Sequence, residues 1–144
     1  MKFQIGINAN HDKNYILLDP NPKPGNIAYT KGLDILPCED GECVEILAPD
    51  MLNYISINDL PSVLKSWMKK LRYNGVVKLG GIDLLELVRL TNDQYISSVE
   101  FNEILSGKNC IHSCSDFLDL LSSIGLTVKK RHFNGIEFIV EFVK

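Results

Sequence analysis

Several short stretches of glycine, asparagine and aspartate follow apolar runs, at the positions where a small polar ligand could bind. Glycine lets a backbone approach a ligand closely, and a carboxylate accepts hydrogen bonds from hydroxyl or amino groups. The stretches are Gly6 to Asn8 after "KFQIGI", Asp19 at the end of "YILLD", Pro49-Asp50 after "CVEILA", and Gly80 to Asp83 after "VVKL". Within and near them, three side chains are candidates for a base that acts on a bound substrate: Asp50, Tyr54 and Asp83.

The elements that position these residues follow from the spacing of apolar residues. Leu64, Trp67, Met68 and Leu71 recur at helical spacing, which predicts a helix over Leu60 to Leu71 whose apolar stripe packs in the core. Asn74-Gly75 is typical of a left-handed helix end. The pattern then predicts a short buried strand over residues 76–79, which ends at Gly80-Gly81.

The remaining pattern alternates strands and helices. Asn134-Gly135 between two β-rich runs predicts a closing hairpin with a type I′ turn. Further strands are predicted at residues 2–7, 15–19 and 43–50, and further helices at residues 82–90, 97–107 and 113–125. This order indicates one α/β domain over residues 1–144 with a mostly parallel sheet, in which ligands bind at the carboxyl ends of the strands.

Composition excludes several classes of protein. The chain has 144 residues, of which 45% are hydrophobic and 23% charged, as in a globular domain with its own core. A net charge of -3 offers no general attraction to nucleic acid or to an anionic membrane. No apolar run is long enough to span a membrane, and "MKFQIGINAN" lacks a signal-peptide core, so we expect a cytoplasmic protein.

The four cysteines do not indicate a metal site. Cys38 and Cys43 are separated by four residues, and Cys110 and Cys114 by three, so neither pair has the tight spacing of a zinc knuckle. We therefore expect free thiols and no bound metal. His112, between the second pair, fits a loop or capping role better than that of a ligand.

The order of these pieces resembles the class I S-adenosylmethionine-dependent methyltransferases over nearly the whole chain. "KFQIGIN" is similar to the first strand and glycine loop of that family, and "YILLDPN" to its second strand with a closing acid. "LDILPCEDGECVEILAPDMLNYI" resembles the passage into the fourth strand, and "VLKSWMKKLRYNGVVKLGGID" the following helix, glycine turn and fifth strand. "GLTVKKRHFNGIEFIVEFVK" matches the reversed hairpin that closes the fold.

The resemblance implies a three-layer Rossmann-like methyltransferase fold with S-adenosylmethionine as cofactor. It assigns the ribose to Asp19, the adenine to Asp34 and Ile35, and the methionine part to Gly6 and Asn8, with Pro49 beside the methyl donor. Only Gly6 remains of the family's glycine pattern. Asp19 also fits a turn that begins "DPNP", and Asp34 also fits a turn cap, so both alternatives stay open.

The chain departs from the family between its first two strands. Residues 8–14 are shorter than the dozen or so residues that a parallel crossover needs, so the first crossover helix must be reduced or missing. Its absence would leave the apolar residues 15–18 open to water or to another subunit. We therefore expect either a homo-oligomer, such as a homodimer, or a fold whose cofactor pocket has degenerated.

Two functions follow from these features. The first is a small S-adenosylmethionine-dependent methyltransferase with an unknown acceptor. The second is a non-catalytic module of the same fold that acts in assembly or regulation, with an eroded cofactor site. A nucleotide- or sugar-related enzyme on a similar sheet is a more remote third, and the sequence contains neither a P-loop nor a nucleophile elbow.

Overall fold

A computed structural model describes residues 1–7, 10, 12–20 and 36–144 of the chain. The strands are β1 (Lys2–Ile5), β2 (Ile16–Leu18), β3 (Cys43–Ala48), β4 (Leu71–Ile82), β5 (Thr127–Asn134) and β6 (Glu137–Val143). The helices are α1 (Leu60–Lys70), α2 (Leu84–Asn92), α3 (Ser98–Leu105) and α4 (Cys114–Ser123), and a single 3-10 turn covers Met51–Tyr54.

The strands form one mixed sheet in the order β2-β1-β3-β4-β6-β5. The first four are mutually parallel, while β6 runs antiparallel to both β4 and β5. The predicted α/β fold, with a mostly parallel sheet and an antiparallel carboxyl-terminal hairpin, is therefore confirmed. The carboxyl ends of β1, β3 and β4 meet at one edge of the sheet, where a ligand is expected.

The connection from β1 to β2 contains no helix among its described residues, as predicted. The amide of Gln4 holds this connection instead: its Nε2 donates to the carbonyl of Asn10 at 2.8 Å, and its Oε1 accepts from the backbone N–H of Asp12 at 2.9 Å. At the start of the loop, the N–H of Gly6 donates to the carbonyl of Leu18 at 3.1 Å. A buried side-chain amide thus satisfies backbone groups that a crossover helix would satisfy internally.

One face of the sheet forms the core together with α1 and α4. Trp67 and Leu64 of α1 are completely buried, and Phe117 of α4 meets Phe138 and Phe142 of β6 at ring-centroid distances of 6.3 and 6.1 Å. Alternate residues of β1, β3, β4 and β6 point to the same side and join this cluster, as a period of two requires.

The other face of the sheet is largely polar. Its register aligns Gln4, Leu47, Lys78, Glu141 and Lys130 in a row across five strands. Beside this row, Glu45 bonds to Lys78 at 2.8 Å and to Lys2 at 3.0 Å. Partial burial acts to raise the pKa of Glu45, but hydrogen bonds from Lys78, Lys2 and Tyr15 outweigh it and leave that pKa below its usual range.

Because this face carries charged residues, it exposes less apolar surface than we expected from the absence of the first helix. In the segment after the shortened connection, Ile16 is 47% exposed, whereas Leu18 is only 3% exposed. Self-association through this region stays a prediction.

The junction between α1 and β4 differs from expectation. Helix α1 ends at Lys70, and β4 begins at Leu71 without an intervening turn. Asn74 does have a positive φ of 60°, but it lies inside β4, where pairing with β3 jumps from Leu71 to Val76. The left-handed residue therefore serves a bulge, which absorbs extra residues in one strand, and not a helix end. Gly80 and Gly81 likewise lie within β4 and do not end the strand.

The closing hairpin is confirmed, but its turn lies one residue further along the chain. Asn134 pairs with Glu137, so the two loop residues are Gly135 and Ile136. Gly135 has φ +62°, and Asn134 is not left-handed. Glycine with positive φ at the first loop position is typical of a type II′ turn, so the type I′ assignment was wrong.

We expect Trp67→Ala to lower the free energy of unfolding by about 3 to 5 kcal/mol, because it empties a fully buried site in the core. Lys65→Ala, an exposed position on the same helix, is the control and should change it little. Because Trp67 is the single tryptophan of the chain, urea unfolding should be followed by circular dichroism. Equal stability of the two variants would contradict the packing of α1.

Candidate functional site

A cavity of about 360 Å³ opens at the carboxyl edge of the sheet. The ends of β1, β3 and β4 contribute to it, together with the 3-10 turn, the end of α3 and the turn between β5 and β6. Its lining residues are Ile5, Gly6, Ile7, Pro49, Asp50, Asn53, Tyr54, Gly81, Ile82, Ile104, Lys108, Ile136 and Glu137. The wall is mostly apolar with a few polar groups, which is usual for small-molecule sites.

Two glycines at the end of β4 allow the walls of this cavity to meet. A Cβ on Gly80 would lie 2.0 Å from the carbonyl oxygen of Phe138 and 2.8 Å from that of Pro49. A Cβ on Gly81 would lie 2.7 Å from Oδ1 of Asn53. Glycine is required at both positions because the neighbouring backbone and a buried side chain occupy the space.

Asn53 connects the elements of this wall through its hydrogen bonds. It is 2% exposed, and its Oδ1 accepts from the N–H of Ile82 at 2.9 Å while its Nδ2 donates to the carbonyl of Cys110 at 3.1 Å. Its own carbonyl accepts from the N–H groups of Asn109 and Cys110. One residue therefore connects the 3-10 turn, the end of β4 and the segment that follows α3.

Next to Asn53 lies a pair of titratable groups, the buried His112 and the partly buried Cys110. Nε2 of His112 is 2.9 Å from Sγ of Cys110, which is also 2.9 Å from the carbonyl oxygen of Ile55. Burial lowers the pKa of His112 and raises the pKa of Cys110. Both directions favour the neutral forms, so the pair acts as packed polar structure and not as a thiolate nucleophile.

Asp83 is occupied by a structural role. Its Oδ1 accepts from the N–H of Cys114 at 3.0 Å, at the first turn of α4, and the N–H of Leu84 donates to the carbonyl of His112. Asp83 does not line the cavity. Of the three predicted candidates for a base, Asp50 and Tyr54 line it.

The predicted cofactor residues are only partly brought together. Gly6, which is buried, and Pro49 line the same cavity. Asp19 follows β2 but is 2% exposed and is not part of the cavity lining. Asn8, Asp34 and Ile35 lie outside the described residues, so their assignments stay predictions.

Other lining residues were not found from sequence. The pair Gly80-Gly81 was visible after a strand, but the close approach of Asn53 and β6 that explains it involves residues distant in sequence. Nothing in "DMLNYI" distinguishes Asn53 from a surface residue. Glu137 and Lys108 also join the site only through the fold.

The described residues contain no cluster of three or more His, Cys, Asp or Glu side chains that could hold a metal ion. All four cysteines are free thiols. Within the same residues, no helix combines the length and apolar character needed to cross a bilayer.

Comparison with known proteins identifies the fold. No protein-family model matches the chain, and no curated protein matches it. Among solved structures, it superposes on PH0226 from Pyrococcus horikoshii OT3 with TM-score 0.59 and 17% identity, covering 90% of this chain and 59% of that one. An S-adenosylmethionine-dependent methyltransferase from Mesorhizobium loti gives TM-score 0.59 and 11% identity, covering 89% of this chain and 80% of that one.

A third structure, an S-adenosylmethionine-dependent methyltransferase from Archaeoglobus fulgidus, gives TM-score 0.58 and 12% identity over 90% of this chain and 76% of that one. The chain therefore has a class I methyltransferase-like fold. It spans less than two thirds of PH0226. At these identities the likeness concerns the fold alone.

We expect Asn53→Ala to lower the free energy of unfolding by about 1 to 3 kcal/mol for each buried group that loses its partner, namely the N–H of Ile82 and the carbonyl of Cys110. Hydrogen exchange of the Ile82 amide should accelerate in parallel. Asn109→Ala is the control, because the side chain of Asn109 is exposed and, among the described residues, bonds to the carbonyl of Tyr54 alone. Unchanged exchange at Ile82 would contradict the role of Asn53.

We expect buried His112 to make stability depend on pH. Its folded pKa lies below the unfolded value of about 6.5, so the unfolded chain takes up the proton first as the pH falls. The contribution is fully present above about pH 6.5 and is lost as the pH falls through the folded pKa. Denaturant unfolding at several pH values should show a shallower loss in His112→Gln. The exposed His132→Gln should retain the wild-type slope, and identical slopes in all three proteins would be the contrary result.

Proposed function

We propose that the protein is a small S-adenosylmethionine-dependent methyltransferase. The proposal rests on the cavity at the sheet edge, which is lined both by Gly6, after β1, and by Pro49, after β3. It lies at the carboxyl edge of a parallel sheet of methyltransferase-like fold, which is where such sheets bind their ligands.

The residues of the cavity fit the methionine end of the cofactor. Gly6 is buried and has no side chain, so its backbone leaves room beside β1. Pro49 lies opposite, after β3. Asp19, Asp34, Ile35 and Asn8 are proposed for the ribose, the adenine and the loop on the strength of the family resemblance.

When bound, S-adenosylmethionine would supply an activated methyl group, and the chain would contribute binding, orientation and exclusion of water. Ile7, Ile82 and Tyr54 provide an apolar wall that keeps water from the reacting groups. Asp50 lines the same cavity, where its carboxylate could take up a proton from an acceptor.

The burial of Asp19 favours the second candidate, a non-catalytic module of the same fold. A carboxylate that is 2% exposed and does not line the cavity has little surface with which to accept hydrogen bonds from a ribose. Because the Asp19 carboxylate is buried, we also expect its replacement to affect the stability of the folded state.

Calorimetry separates the two candidates. S-adenosylmethionine and its demethylated product S-adenosylhomocysteine should each bind with measurable heat, compete with one another, and raise the melting temperature. An absence of heat and of competition at millimolar concentration would exclude the methyltransferase and leave the non-catalytic module.

In the methyltransferase, we expect Asp19→Asn to weaken cofactor binding by about 1.5 to 3 kcal/mol, the scale of a hydrogen bond to a charged group. Asn is chosen because it keeps the volume of a buried side chain. Asp119→Asn, at an exposed position of α4, is the control and should bind as wild type does. Both variants must first show cooperative unfolding. Wild-type affinity in folded Asp19→Asn would remove Asp19 from the cofactor site.

A further inference from the structure

The lining of the cavity at the sheet edge reaches from the end of β1 to the turn between β5 and β6. Neighbouring strands lie about 4.8 Å apart, so β6, three strands from β1, is displaced from it by about 14 Å. We call the residues on this far side the distal half: Ile82, Ile104, Lys108, Ile136 and Glu137. If the cofactor occupies the side of Gly6 and Pro49, the distal half is left for the methyl acceptor.

The wall of the distal half is apolar and comes from three elements. Ile82 ends β4, Ile104 lies in the last turn of α3, and Ile136 is the second residue of the β5–β6 turn. Together these side chains would contact a hydrocarbon body of a few carbon atoms. Burial of such a body is favourable by about 0.8 kcal/mol for each CH₂ group, so an acceptor with an apolar part is favoured over a fully polar one.

The two charged residues of the distal half differ in their partners. Nζ of Lys108 donates to the carbonyl of Ile104 at the end of α3, where the helix dipole also favours a cation. Glu137 has no hydrogen bond or ion pair to its carboxylate from any residue that the structure describes. The Lys108 ammonium group is therefore oriented towards the end of α3, whereas the Glu137 carboxylate is available to a ligand.

A second, smaller opening reinforces the negative character of this region. A cavity of about 260 Å³ adjoins the first, and Pro49, Asp50 and Glu137 line both. Asp50, like Glu137, has no side-chain partner among the described residues. His132 lines the smaller opening but not the larger cavity. An anionic acceptor would approach two unpaired carboxylates, whereas a cation would be attracted to them.

We propose that the distal half binds a small amine in its protonated form, with the ammonium group at the Glu137 carboxylate and an apolar body against Ile82, Ile104 and Ile136. The description of this ligand as the methyl acceptor rests on the proposed function, in which the ammonium group would first give a proton to Asp50 so that its nitrogen has a lone pair for the methyl group. The binding chemistry itself depends only on the cavity. Amines with a branched or cyclic hydrocarbon body are the class that this combination fits.

Three probes with one hydrocarbon body and different head groups test the proposal: isoamylamine, isoamyl alcohol and isovalerate. Each is titrated at pH 7 into the ¹⁵N-labelled protein, and amide shifts are followed at Ile82, Lys108 and Ile136. The amine should bind at least tenfold more tightly than the alcohol, because a charge-assisted hydrogen bond is stronger than a neutral one. Isovalerate should bind most weakly.

Glu137→Gln and Glu141→Gln form a matched pair of variants. Glu141 lies on the same strand, four residues further on, and lines neither cavity. Glu137→Gln should lower the affinity for the amine about tenfold while leaving the affinity for the alcohol unchanged, and Glu141→Gln should leave both unchanged. Neither side chain is buried, and melting curves should first show that both variants fold.

The titrations are run with and without saturating S-adenosylhomocysteine, which separates this inference from the proposed function. Amine binding that depends on Glu137 supports the inference in either condition, even if the cofactor product does not bind. If the product binds but the alcohol or the acid binds as tightly as the amine, the inference is overturned while the methyltransferase proposal stands. Amine binding that survives Glu137→Gln, or that shifts none of the three amides, also overturns it.

Discussion

At the carboxyl end of β4 the chain passes so close to its neighbours that Gly80 and Gly81 have no room for a Cβ atom. This steric constraint determines the shape of the sheet edge. Because the two glycines have no side chain, β6 can pair with β4 along residues 76–82. For the same reason the 3-10 turn can approach closely enough for Asn53 to accept a hydrogen bond from the N–H of Ile82. The same side chain then holds the segment after α3 through Cys110. Larger residues at the two glycines would separate these elements, and the cavity that lies between them would lose its walls.

Between β1 and β2 the described residues include no crossover helix, and polar side chains serve this part of the sheet instead. Gln4 bonds to the backbone of the connection, and the outer face of the sheet carries charged residues such as Glu45, Lys78 and Glu141. An apolar face without a helix would be costly in water, whereas paired charges remain well solvated. The buried core is consequently concentrated on the face that α1 and α4 cover.

The electrostatic character of the sheet edge depends on which of its charged side chains have hydrogen-bond partners within the protein. Lys108 is directed to the end of α3, and Asp83 to the start of α4, so both are engaged in ending or starting helices. Asp50 and Glu137 line the cavity, and neither carboxylate has a partner among the described residues. A ligand would therefore meet a largely apolar site with two carboxylates at its edge.

The sequence by itself determined the elements that depend on local pattern. The apolar stripe of α1 and the glycine-containing hairpin were both predictable because neighbours along the chain set them. The segment of residues 8–14 is too short for a helical parallel crossover, and its length alone predicted that the first helix is reduced or missing. Gly6 and Pro49 could be assigned to one edge because the carboxyl ends of parallel strands meet there.

Only the tertiary structure decided the features that join distant parts of the chain. Asn74 looked like a helix end, but pairing with β3 makes it part of a bulge, and Asn134 looked like a loop residue until pairing with Glu137 placed it in β5. Asp19 looked like an open strand-end acid, yet the fold buries it. Asn53 and Glu137 enter the cavity through contacts with residues far away in sequence. Local pattern specifies periodicity and turns, whereas burial and strand register depend on packing between segments that the pattern cannot align.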